Sequence, residues 1–176
     1  RKLGVAKNTL VAFCSDNGPE GNQNAPGRQG DFKGRKRSLY EGGVRVPSLL
    51  EWPARIKPGT SSEVATCTVD YFPTVLELVG IEMPDDRPLD GISLVPLFEG
   101  KLESRPSPLG FHIRGQAAWH DGDWKAYCSK VNSHEWELYN LKDDPYEKKN
   151  RAADKLLKLE AMVGAWEKWK ASVETS

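Results

Sequence analysis

Thr9-Leu10-Val11-Ala12-Phe13-Cys14, followed at once by Ser15-Asp16-Asn17-Gly18, is a nearly continuous apolar, β-rich run closed by a polar turn. That is the pattern of a strand buried on both faces, which points to a parallel sheet covered by helices. Gly4, just upstream, is placed to end a helix. The order helix, short turn, buried strand, polar loop therefore predicts an α/β layer architecture. Ligands in such sheets collect beyond the carboxyl ends of the strands, where Asp16 and Asn17 fall.

Downstream, the stretch from Gly18 to Tyr40 is polar and glycine-rich, with a basic cluster at Lys33, Arg35, Lys36 and Arg37. A loop this long is uncommon in a compact domain unless it is functional or disordered. Val46 to Trp52 reads as a second strand, with Pro47 suited to its start or to an edge. Asp70 to Val79 has helical spacing, with Tyr71 or Phe72, Val75, Leu76 and Val79 on one stripe, Pro73 in the first turn and Gly80 as terminator. Ile92 to Phe98 is apolar and fits a short helix or a strand equally.

The pattern changes near Gly100 to Pro108. Alternating stretches at Leu109–Ile113, Gln116–Trp119, Trp124–Ser129 and Trp136–Asn140, separated by turns such as Asp121-Gly122-Asp123, predict a small antiparallel sheet. Ala152 to Val173 carries Leu156, Leu159, Val163, Trp166 and Trp169 at helical spacing and predicts an amphipathic helix packed on that sheet. Large aromatics such as Trp119, Trp124 and Trp136 are expected to fill the space beneath it. The division falls into residues 1–104, the C-terminal part of a mainly parallel α/β sheet domain, and residues 105–176, the sheet-plus-helix subdomain.

The 176 residues are long enough for one respectable core. Their 25 basic and 25 acidic side chains cancel, so no overall field favours nucleic acid or an anionic membrane surface. No apolar run approaches the roughly 20 residues that span a bilayer. Neither a nucleic-acid nor a membrane partner is expected. Cys14, Cys67 and Cys128 are too dispersed for a metal knuckle or a dense disulfide framework, and they leave the compartment undecided. The chain opens on Arg1 with no leader, and upstream sequence is expected to be missing.

Asp16 and Asn17 offer one anionic and one neutral oxygen from adjacent positions, which suits a hard cation, although Asp-Asn-Gly is also what an ordinary turn requires. In Gly34 to Pro47 the paired glycines Gly42-Gly43 permit close approach or unusual backbone angles, and the preceding basic cluster can hold an anion. Taken alone, it also fits a solvated basic loop. His112, His120 and His134 have no visible partner and are expected at surface or structural positions.

In combination these segments are more specific. SDNG (Ser15 to Gly18) and GRKRSLYEGGVRVP (Gly34 to Pro47) resemble the second half of the sulfatase family, within the alkaline-phosphatase-like superfamily. DYFPTVLELVGIEMP (Asp70 to Pro84), LDGISLVPLFEG (Leu89 to Gly100), GDWKAY (Gly122 to Tyr127) and ELYNLKDDPYEKKN (Glu137 to Asn150) follow in family order. The resemblance implies a calcium-dependent sulfuric ester hydrolase, with residues 1–104 as the end of its catalytic domain.

By position, it implies that Asp16 and Asn17 bind Ca2+ and that Lys36, four residues before the Tyr of YEGG, contacts the sulfate in catalysis. His112 and Arg114 become the expected substrate contacts, because the C-terminal subdomain borders the cleft in this family. Glu41 is expected to hold its loop by hydrogen bonds. The family's nucleophile is a hydrated formylglycine made from Cys or Ser in a C/S-x-P-S-R motif. No such motif occurs in this chain, so the nucleophile and the remaining metal ligands are expected upstream, and the isolated chain is expected to be inactive. The implied partners are a sulfate ester, aryl or carbohydrate, and the missing N-terminal portion. Family habit is export to periplasm, lysosome or exterior. A phosphoester or phosphonate hydrolase of the same superfamily, or a non-catalytic protein that binds sulfated glycans, are the competing readings.

Overall fold

The computed structural model describes residues 2–21, 27–83, 85 and 87–174. Residues 22–26 of the Glu20–Phe32 loop, and positions 84 and 86 of the turn-rich Met83–Gly91 stretch, lie outside the described residues. In chain order the elements are β1 (Val11–Cys14), α1 (Glu41–Val44), β2 (Ser48–Glu51), α2 (Tyr71–Val79), α3 (Val95–Phe98), β3 (Leu109–Ile113), β4 (Gln116–Asp121), β5 (Trp124–Cys128), β6 (Trp136–Asn140) and α4 (Leu156–Glu174). They form two compact units, Arg1–Ser15 with Pro47–Ser107, and Asp16–Val46 with Pro108–Ser176. The third crossing, after Ser107, lies near the expected 104/105 division, but the segment Asp16–Val46 groups with the C-terminal sheet.

In the first unit, β1 pairs with β2, from Val11 opposite Glu51 to Cys14 opposite Ser48. The pair is antiparallel, whereas the apolar run pointed to a parallel neighbour. Nor is β1 covered on both faces, since Val11 is 51% and Phe13 64% exposed. An apolar run reports that a strand favours cover; it encodes neither the direction of its neighbour nor where the cover comes from. α2 ends on Gly80 in the left-handed region at φ 67°, as its sequence predicts. Its stripe of Phe72, Val75 and Val79 is exposed. The ambiguous Ile92–Phe98 stretch resolves into the short helix α3, with proline in its first turn.

Asp70 organises this unit. It is fully buried, and each of its carboxylate oxygens accepts two bonds. Oδ2 accepts from the Cys67 N–H at 2.7 Å and Arg105 Nη1 at 2.7 Å, and Oδ1 from the Ile92 N–H at 2.9 Å and Arg105 Nη2 at 2.9 Å. One side chain thus ties together the entry to α2, the approach to α3 and the segment leading out of the unit.

The second unit is the predicted antiparallel sheet, in the order β3-β4-β5-β6. Its registers run from Leu109 opposite His120, through Trp119 opposite Ala126, to Ala126 opposite Leu138. Strand alternation separates two faces. Ala117, Trp119, Ala126, Cys128 and Leu138 face α4, where they form a core with Leu159, Met162 and Trp166. The tryptophans behave as expected: Trp136 stands edge-on to Trp166 at 5.3 Å, and Trp119 lies 6.2 Å from Trp169. Gly110 makes room for the Trp169 indole, which a Cβ there would overlap. On the opposite face, Ala118 and Tyr127 form a smaller core with Leu39, joined by Phe111, Tyr40 and Val44. The sheet is therefore covered by α4 on one side and by the glycine-rich segment on the other.

Candidate functional site

The backbone carries the stretch after β1 and the glycine-rich segment as neighbours within the second unit. Gly18 N–H donates to Gly43 O at 2.8 Å, and Lys36 N–H donates to Pro19 O at 3.0 Å. Gly42 N–H reaches back to Lys33 O at 2.7 Å, closing the segment into a compact loop that runs into α1. The glycines are needed for contact. A Cβ at Gly18 would overlap the Gly42 carbonyl, and a Cβ at Gly43 would overlap that of Ser38. The sequence left close approach and unusual backbone angles open, and close approach is what the paired glycines provide.

Asp16 is exposed and Asn17 half-buried. The Lys36 side chain is 42% exposed, with its ammonium 3.7 Å from the Glu20 carboxylate, which also lies 3.3 Å from Arg37. Arg35 donates to the Glu20 carbonyl at 2.8 Å and to Gln29 at 2.8 Å. The Gly21 N–H, followed by Arg37, holds the Glu20 carboxyl below its ordinary value. Among the described residues the basic cluster thus faces the Glu20 carboxylate across an exposed surface, where ion pairs contribute little.

Glu41 opens α1 and makes hydrogen bonds through both its N–H and its carboxylate. Its carboxylate lies 2.8 Å from Lys125 Nζ on β5, and Lys125 lies 3.0 Å from Glu147. Glu147 Oε2 in turn accepts the Glu41 N–H at 2.7 Å. Burial pushes the Glu147 carboxyl up, and the neighbouring Lys125 ammonium opposes that. Beside this cluster, Tyr40 and Tyr139 both donate to Glu137, at 2.7 and 2.6 Å. Burial first, and Glu137 second, raise both phenols well above their ordinary values. Lys33 donates to the Tyr139 hydroxyl at 3.0 Å and stands 3.9 Å above the Tyr40 ring.

The expected substrate contacts separate. His112 lies on the α4 face, edge-on to Trp166 at 5.6 Å, whereas the segment bearing Lys36 covers the other face. Arg114 occupies the two-residue β3–β4 hairpin with Gly115, at φ 51° and 78°, the doubly positive geometry of a type I′ turn. The adjoining Gln116 donates to the Arg37 carbonyl at 2.7 Å and accepts the Leu39 N–H at 3.3 Å. Arg114 is therefore at the end of the sheet that clamps the basic loop. His120 is half-buried, with burial lowering its imidazole, and His134 is exposed.

Glu20, Gln116, Lys125 and Glu147 were not legible as site-building residues. Lys125 and Glu147 stood inside GDWKAY and DDPYEKKN, but nothing local pairs either with Glu41. The donor chemistry of Asp16 and Asn17, oxygen only and of mixed charge, fits a hard divalent cation. Two residues are a partial shell, and among the described residues no group of three or more His, Cys, Asp or Glu side chains is arranged to hold a metal. Nor, among those residues, is any helix long and apolar enough to cross a membrane.

Residues 27–164 match the family described as N-sulphoglucosamine sulphohydrolase, C-terminal. The chain belongs to the sulfatase family, as part of its C-terminal region. It is 41% identical over 143 residues to steryl-sulfatase of Mus musculus, covering 74% of this chain and 23% of that protein. It is 35% identical over 175 residues to arylsulfatase A of Homo sapiens, covering 84% and 34% respectively. The crystal structure of Ps i-CgsB in complex with k-i-k-neocarrahexaose superposes with a TM-score of 0.85 at 32% identity, covering 97% of this chain and 38% of that one. The chain thus spans about a quarter to a third of the curated relatives it matches.

Proposed function

We propose that the complete protein carrying this chain is a calcium-dependent sulfuric ester hydrolase whose formylglycine nucleophile and remaining metal ligands lie outside these 176 residues. The observation that carries the reading is the pair of backbone bonds, Gly18 to Gly43 and Lys36 to Pro19. They join the segment with two oxygen donors to the one with the basic cluster. Asp16 and Asn17 would hold the calcium ion, which when bound neutralises and orients sulfate oxygens. Lys36 would exchange its exposed Glu20 partner for a sulfate oxygen or the departing oxygen, supplying a compact, fixed positive charge where negative charge develops. Arg114 belongs on the substrate side of this reading. His112 is exposed on the α4 face, edge-on to Trp166, which places it less favourably for a sulfate held at Lys36.

The substrate class is a sulfate ester, aryl or carbohydrate. Ps i-CgsB is described with a neocarrahexaose and BT4656 with its substrate D-Glucosamine-2-N, 6-O-disulfate, which favours sulfated carbohydrate. The exposed faces of β1 and α2 suit cover by other parts of a longer polypeptide. The test is hydrolysis of an aryl sulfate and the matching aryl phosphate, side by side, before and after calcium chelation. Sulfate release that is lost on chelation and restored by calcium is expected. Preferential phosphate release would favour the superfamily's phosphoesterases, and calcium-dependent glycan binding without turnover would favour a non-catalytic relative. The 176-residue chain alone should release no sulfate.

A further inference from the structure

Lys36 is held by little of its own. Its ammonium is exposed and, among the described residues, pairs with the exposed Glu20 carboxylate, so its position is inherited from the backbone of the loop that carries it. That loop closes where Gly42 N–H returns to Lys33 O, directly beside Glu41. Glu41 is gripped twice, through its N–H by Glu147 and through its carboxylate by Lys125. Side-chain exposure is 1% for Lys125, 8% for Glu41 and 0% for Glu147. Two carboxylates surround one ammonium; Arg45, half-exposed, lies 3.8 Å from Glu41, and His120 is a further basic neighbour of Glu41 and Lys125.

Burying three charges is an expensive way to fill space, since apolar residues of similar volume often hold a fold as well. What such a cluster adds is direction: the hydrogen bonds from Lys125 to Glu41 and from the Glu41 N–H to Glu147 fix angles as well as distances, and the Lys125–Glu147 ion pair links them. Its members come from α1, from β5 and from the turn after β6, so it registers the loop against the sheet.

We propose that the buried Glu41–Lys125–Glu147 cluster fixes the loop bearing Lys36, making Lys125 and Glu147 positioning residues for the sulfate-contacting ammonium. This rests on the sulfatase reading above for its catalytic consequence, but its mechanical content does not.

The experiment compares Lys125→Met, the milder Glu147→Gln and the double variant in the complete enzyme, by amide hydrogen exchange and by turnover of 4-methylumbelliferyl sulfate. In Lys125→Met two buried carboxylates face each other, and exchange over residues 33–44 should quicken by about tenfold or more while β4 to β6 stay protected. Turnover should fall about 10- to 100-fold in kcat, with KM changing less than about threefold. The double variant removes one of the facing carboxylates and should regain part of both. If Lys125→Met does not fold, Glu147→Gln carries the same comparison at smaller amplitude. Unchanged exchange over 33–44, loss of protection in loop and sheet together, or unchanged kcat in a folded variant would each overturn the proposal. A wild-type enzyme that releases no sulfate would sink the sulfatase reading instead, and the exchange pattern alone would then decide this one.

Discussion

Lys36→Ala in the complete enzyme is expected to lower sulfate-ester turnover by about 10²- to 10³-fold, mostly in kcat. The size follows from the role. A fixed charge aimed at developing negative charge contributes far more in the transition state than in the ground state. Lys36→Arg should not rescue it, because a planar fork does not replace a compact ammonium at the same distance. Thermal stability should barely change. The side chain is exposed and its contact with Glu20 spans 3.7 Å, and exposed pairs of that kind contribute little to folding. Steady-state kinetics beside a melting curve separates the two effects, and turnover that survives Lys36→Ala would show the residue to be misassigned.

Asp70→Asn should act in the opposite sense, on the fold and only secondarily on turnover. Each oxygen of Asp70 faces two donors, one backbone N–H and one Arg105 nitrogen, all between 2.7 and 2.9 Å. Whichever way an asparagine turns, its NH2 meets two donors, and the Arg105 guanidinium, 6% exposed, loses its counter-charge. Breaking a buried pair of this kind costs about 3–5 kcal/mol. Urea unfolding should report a loss of that order. A loss under about 1 kcal/mol would mean that water or a rearranged Arg105 takes over the carboxylate's bonds.

The parts of the fold encoded by short-range pattern were legible. Alternation marked all four strands of the C-terminal sheet, Gly80 marked the end of α2, and the apolar spacing of Leu156, Leu159, Val163, Trp166 and Trp169 marked α4. Contacts between distant residues were not. Lys125 meets Glu41 across 84 positions, and Glu147 meets the Glu41 N–H across 106; neither separation leaves a local periodicity. The strand bounds Leu109–Ile113 and Gln116–Trp119 left a two-residue turn at Arg114-Gly115, where the hairpin lies; only the positive φ of Arg114 carried no signal, arginine being unusual there. The strand before Asp16 was recognised as a strand, but its antiparallel partner was not, since a two-faced apolar run is silent about direction.

For the candidate site the balance is similar. Composition supplied the donors, two oxygens at Asp16 and Asn17 and an ammonium at Lys36, and the resemblance supplied their roles. That Gln116 and Glu20 shape the basic loop could be read only from coordinates, because a glutamine at a strand start and a glutamate in a loop carry no signal of their own. His112 was expected as a substrate contact because the C-terminal subdomain borders the cleft in this family; strand alternation sets it opposite Ala117, on the α4 face of the sheet.

A crystal structure of the complete protein with calcium and sulfate tests the central claim most directly. A cation bound by the Asp16 carboxylate and the Asn17 amide, with a sulfate oxygen within hydrogen-bond distance of the Lys36 ammonium, is the predicted result. Lys36 still paired with Glu20 while cation and sulfate bind elsewhere would contradict it.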